Sequence, residues 1–286
     1  MLVALSAALA ALVLLPLLPA LHEALSRRDT AALPLSDRYA EDLRERLGPH
    51  GAPAHPASCL DVAGSLDAPD GSAYGIVRVR GDARLGAGVC VAEVLSVGGA
   101  LTAGAGSELL GTADAGVRAD LGAGTRFERV HAPVVQAAGE APPPAPWRAH
   151  VAVAPAGTTA GGRTLVHGDL DVLPDGLVEG SLVVRGVLTL GAGARVAGSV
   201  KAQRGLVLGA GASVGGHAFS DRGLTLGDHA AVGGVACAEG ALVVGRGATV
   251  GTADVMATAS GRTVVLAAGA RVYGTVWAAE HGVVAG

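Results

Sequence analysis

The stretch Leu188-Thr-Leu-Gly-Ala-Gly-Ala-Arg-Val-Ala-Gly-Ser-Val200 is followed by Leu206-Val-Leu-Gly-Ala-Gly-Ala-Ser-Val-Gly-Gly216, then by Leu224-Thr-Leu-Gly-Asp-His-Ala-Ala-Val-Gly-Gly234 and Leu242-Val-Val-Gly-Arg-Gly-Ala-Thr-Val250. The anchors Leu190, Leu208, Leu226 and Val244 are separated by 208−190 = 226−208 = 244−226 = 18 residues. A fixed short period is the signature of a solenoid and outranks local propensity. One step back, 190−18 gives Val172, with Val178 and Gly180 in frame. Forwards the frame resumes at Leu266 after a surplus of four (266−244 = 22). An upstream block carries the same frame at Leu85, Ala103 and Leu121, with Val91, Leu109 and Phe127 six residues on. Nine turns are legible in this way.

With the anchor as position zero, position −2 is Leu or Val (Leu101, Leu188, Leu206, Leu224, Leu242, Val264) and position +6 is Val (Val178, Val196, Val214, Val232, Val250, Val272). Position +4 is Ala, +8 mostly Gly, and +10 is aliphatic or Ala, as at Val200 and Val276. Polar or small residues stand between them, the period-2 pattern of a strand with one buried face. Gly at +1 and +3 breaks the strand and permits a corner. A single turn cannot close its own core. Stacked turns align like residues into columns, and each buried Val or Leu then contributes about 1.5–3 kcal/mol. The expected fold is therefore all-β, a β-helix solenoid of 18-residue turns.

Composition agrees. The 286 residues include 45 Gly and 50% hydrophobics with only 16% charge, too apolar for disorder and too rich in Gly for a helical bundle. The formal charge is −4 and only Lys201 is a lysine, so no basic field or aromatic platform points to nucleic acid. Cys59, Cys90 and Cys237 are odd in number and lack a CxxC, which argues for neither a disulfide framework nor a zinc site.

Residues 1–21 contain no charged side chain, and 21 helical residues span roughly 31 Å, about one hydrocarbon core. A transmembrane anchor is favoured over a cleaved signal, since no basic n-region precedes the stretch. Arg27 and Arg28 follow it, so the positive-inside rule leaves the bulk in the cytoplasm at the inner membrane. Within the juxtamembrane stretch 22–58, Leu35, Tyr39, Leu43 and Leu47 recur every four residues as a short amphipathic helix. It lies on the membrane or seals the open end of the coil. A linker, 48–58, follows it. The first β-helix block is expected over 59–135, a Pro-rich loop over 136–164 and the main block over 165–286. Because 172−121 = 51 is not a multiple of 18, the blocks are out of frame. One coil with the loop extruded is favoured over two coils.

Familiar catalytic signals are absent: no G-x-x-x-x-G-K-[ST], G-x-S-x-G or H-E-x-x-H occurs. The G-x-G triplets sit at solenoid corners. His50 and His55 lie in a linker and His217 at an outward position, while His229 replaces a corner Gly; solvated or surface roles are favoured over metal binding or general base catalysis. Asp254 stands in an inward frame directly before the four-residue surplus, where a bulged corner would bring it to water. Arg195 and Arg271 share column +5 without forming a charge ladder. No cofactor, catalytic residue or metal ligand is assigned.

The repeat unit, its small-residue columns, the missing active-site motif and the N-terminal apolar segment together resemble the bactofilins, polymer-forming bacterial cytoskeletal proteins. The resemblance is clearest over residues 166–286, in phrases such as Gly193-Ala-Arg-Val-Ala-Gly-Ser-Val200, and weaker over 75–135. It implies a right-handed β-helix, end-to-end self-assembly without nucleotide, and attachment to the inner face of the membrane. A second block and a full transmembrane span depart from that pattern. The partners expected are the membrane and the chain itself. Val272, Val276, Val283 and Val284 in the terminal turn are the residues expected nearest the self-assembly contact, since no capping helix follows them.

Two other classes compete. Hexapeptide-repeat acyltransferases also use 18 residues per turn, in a left-handed β-helix, but would need an aliphatic at +12, where Ala202, Ser220, Ala238 and Met256 stand. An exported surface solenoid would need residues 1–21 to be a signal.

Overall fold

The inward Leu and Val of each turn bury themselves only by lying over their counterparts eighteen residues away, and the backbone follows that requirement. The computed structural model describes residues 59–286 apart from Ala145, Trp147 and Arg148. The apolar stretch 1–21, Arg27, Arg28, the amphipathic segment 35–47 and the linker 48–58 lie outside the described residues. The described residues form an all-β solenoid of about 12 turns without a helix. Among them no helix is long and apolar enough to cross a membrane.

In the second coil each turn is three short strands. Val187–Leu190, Arg195–Val196 and Val200–Ala202 lie beneath Gly205–Leu208, Ser213–Val214 and Ala218–Ser220. The register is parallel and shifted by 18, pairing Leu188 with Leu206, Val196 with Val214 and Val200 with Ala218. Every one of these inward side chains is at most 1% exposed. In the first coil the second and third strands merge into longer ones, such as Cys90–Val97 and Glu108–Ala115, whose inward residues Val91, Leu95 and Val97 are buried in the same columns.

Corners depend on glycine for two different reasons. At +3 the backbone turns left-handed, with φ of 67° at Gly211. At +1 it runs against the preceding turn, where a Cβ on Gly104 would lie 2.5 Å from the backbone of Gly86. The four-residue surplus falls where the spacing placed it. Pairing passes from Leu242 to Val264, and residues 252–256 leave the coil with Asp254 exposed.

The two blocks do not continue one another as expected. The first coil ends on the strand Arg126–Ala137 and the second on Arg271–Val284, and these two strands pair antiparallel. The chain therefore builds two coils that meet at their C-terminal turns, running in opposite directions within one 28-stranded sheet. This corrects the expectation of a single coil with a protruding loop. The out-of-frame spacing of 51 marks a reversal of direction, because coils meeting end against end share no 18-residue frame.

The loop expected at 136–164 is also more ordered than its prolines suggest. The first coil's last strand continues to Ala137, Val151–Ala152 pairs with Gly176 and Leu177, and Thr158–Ala160 forms a hairpin with Arg163–Val166. That hairpin turns on Gly161 and Gly162, both with positive φ (56° and 72°), as a tight two-residue connection requires.

Candidate functional site

The joint between the coils is built from the terminal turns. Val272 pairs with Val135, Val276 with Val130 and Val283 with Arg126. Val130, Val135, Val272, Val276 and Val284 are each 0% exposed. Backbone hydrogen bonds close the contact at both ends: Gly124 N donates to Val284 O (2.9 Å), Val284 N to Thr125 O (2.9 Å) and Ala137 N to Ala270 O (3.0 Å). Opposite Phe127 stands Gly282, where a Cβ would lie 2.2 Å from the ring. The valines expected to mate with another copy are thus inside the molecule, three of them fully buried and Val283 half-buried. The apolar end and its unpaired amides are covered by the chain's own first coil, which supplies the same cross-section without loss of translational freedom.

On the outer face of the joint, the Arg129 guanidinium lies over the Trp277 ring, 5.4 Å from its centroid. His131 Nδ1 is 2.9 Å from Thr275 Oγ1. Sequence reasoning did not single out any of these four. Their only common signal is an outward frame position, and the antiparallel register that brings them together is invisible in the repeat.

The connection from one coil to the other is a strap along the +3 corners of the second coil. Gly139 packs against Ala268, and Ala141 against Gly247 and Gly269. His229 Nε2 donates to Pro142 O, and His150 Nε2 donates to Gly193 O (3.1 Å). Val151 N then donates to Asp175 O (2.9 Å). His229 has φ of 57° in place of glycine, so this corner residue gains a partner that glycine could not hold.

His217 belongs to an interturn ladder. Ser181 Oγ accepts from Ser199 N (3.1 Å), Ser199 Oγ from His217 N (3.0 Å), and His217 Nδ1 from Val235 N (3.0 Å). Its ring leans on Phe219 at 6.0 Å. Acidic corners work in the same way: Asp82 accepts from Ala100 N and Asp169 from Val187 N, both at 2.8 Å. Asp228 holds Arg246 through two nitrogens (3.1 and 2.8 Å), and that pairing keeps its carboxyl below the ordinary carboxylate range. Cys90 is half-buried, and burial, reinforced by Glu108, pushes its thiol up. The three cysteines are free thiols. Among the described residues no group of three or more His, Cys, Asp or Glu could hold a metal ion. Arg195 and Arg271 are exposed on separate turns.

The chain matches no family model, no curated protein and no solved structure. What the fold defines is a class: a β-solenoid of two coils joined end to end.

Proposed function

We propose that the chain is a non-enzymatic scaffold of bactofilin type, right-handed in its coil, held at the inner face of a membrane by residues 1–21 and assembling through solenoid ends without nucleotide. The observation that carries this reading is the joint itself. A solenoid end of this sequence mates antiparallel with another end of like cross-section, burying Val130 against Val276.

The joint uses both C-terminal ends, so assembly falls to the opposite ends. At the far end of the second coil Leu173 is 71% exposed and Val151 66% exposed, beside the pairing of Val151 with Gly176. These two exposed aliphatics lie on the outermost turn, which Val151–Ala152 and Thr158–Ala160 edge only in part, and they favour contact with a second copy. Sedimentation and electron microscopy of residues 55–286 at several concentrations test the reading. Growth with concentration is expected, with loss in the pair Val151→Lys and Leu173→Glu while β-sheet circular dichroism stays intact. A monomer at every concentration would defeat it. A compact trimer that transfers acyl groups from coenzyme A would favour the acyltransferase class. For topology, a phosphatase active only outside the cytoplasm, fused after Gly286, is expected to be silent; strong activity sinks the cytoplasmic placement.

A further inference from the structure

The outward faces of both coils are mostly small and polar, which makes the placement of two aromatic side chains informative. Trp277 is 44% exposed and Phe219 39% exposed. They stand in one outward row, since Phe219 pairs with Cys237, Cys237 with Ser260 and Ser260 with Trp277. Three strand steps at about 4.8 Å put them roughly 14 Å apart along the solenoid axis. Each is braced, Phe219 by the His217 ring and Trp277 by the Arg129 guanidinium.

Beside Trp277 the face is hollowed into a shallow cavity of about 410 Å³ lined by Thr112, Asp114, Arg129, His131 and Thr275 among others. It is open to solvent and large enough to seat one sugar ring against the sheet. Among the described residues neither Asp114 nor Arg129 has an ion-pair partner. One carboxylate and one guanidinium cancel, so the cavity offers both acceptors and donors with little net field. A ring face, a carboxylate, a guanidinium and hydroxyls suit a pyranose. Its C–H face is apolar and packs on the exposed part of the indole that the Arg129 guanidinium leaves uncovered, while its hydroxyl edge seeks paired donors and acceptors. We propose that this face binds an uncharged linear glycan laid along the solenoid axis, one sugar unit against Trp277 and Asp114 and a further unit against Phe219. The proposal is independent of how the coil ends assemble.

The chain has two tryptophans, so Trp147→Phe leaves Trp277 as the single reporter. The Trp147→Phe chain is titrated with glucose, cellotetraose, the tetramer of N-acetylglucosamine and tetragalacturonate, following its fluorescence. A saturable change is expected with at least one neutral tetramer, about tenfold tighter than with glucose. Asp114→Asn should weaken that tetramer about tenfold, and Phe219→Ala should bring it to the level of glucose while leaving glucose unchanged. The proposal fails if neither neutral tetramer gives a saturable change up to about 10 mM. It also fails if tetragalacturonate binds as well as they do, or if either substitution leaves tetramer binding unaltered.

Discussion

Gly282 and Phe127 stand opposite each other across the joint, and the Phe127 ring fills the space that a side chain at 282 would take. Phe127 is 3% exposed, and the other buried hydrophobic side chains among the described residues are Val, Leu and Ala, so the missing side chain is what admits the ring. Phe127→Ala should cost about 3–5 kcal/mol through the cavity it leaves. Gly282→Leu should cost about 1–3 kcal/mol or more through overpacking. The double variant should be less destabilised than the sum, because the new leucine occupies the cavity. Denaturant titration of the four proteins reads the coupling; strict additivity means that the two residues do not share the joint.

Val214 lies between Val196 and Val232 and is 1% exposed, while its neighbour Ser213 points outward. Val214→Asp buries an unpaired carboxylate among valines and should cost several kcal/mol, on the order of 4 or more, enough to prevent folding. Ser213→Asp should change stability by less than about 0.5 kcal/mol. Thermal melts of the two variants decide the matter, and equal midpoints would contradict the inward column.

His229 combines a strained corner with a hold on the strap. Its φ of 57° favours glycine by about 1 kcal/mol, so His229→Gly should leave the melting temperature unchanged or raised. The same change removes the donor to Pro142 O, so limited proteolysis should cut between residues 138 and 150 several times faster. Unchanged cleavage would show that the imidazole does not secure the strap.

Asp228 has a folded pKa below its unfolded value because of its hydrogen bonds to Arg246. Its contribution to stability is therefore present above the unfolded pKa and is lost as pH falls through the folded one. The pair is solvent-exposed, which limits the contribution to less than about 1 kcal/mol. Asp228→Asn should be slightly less stable than the parent near about pH 7, and the difference should shrink steadily as pH falls below the ordinary carboxylate range. A gap that widens on acidification would reverse the assignment.

Much of the coil is legible in the sequence because a solenoid repeats its instructions. Leu188, Leu206, Leu224 and Leu242 specify one another at a separation of 18, and the surplus before Val264 predicts the excursion that brings Asp254 to water. Corner glycines at +3 announce positive φ, and His229 takes that conformation where it replaces one. The site was less legible. Arg129 and Trp277 are 148 residues apart (277−129) and belong to different repeat blocks, so no local spacing connects them.

The sequence by itself determined the turn, its buried columns and its corners, since period-2 alternation and an 18-residue recurrence fix which side chains must be covered. Only the tertiary structure decided that the two blocks meet end against end and that Val272, Val276 and Val284 are covered from within. The physical reason is that an inward-facing valine satisfies a parallel or an antiparallel neighbour equally well. Its alternation therefore carries no record of direction, and the choice rests on features such as Phe127 filling the place of a side chain at Gly282.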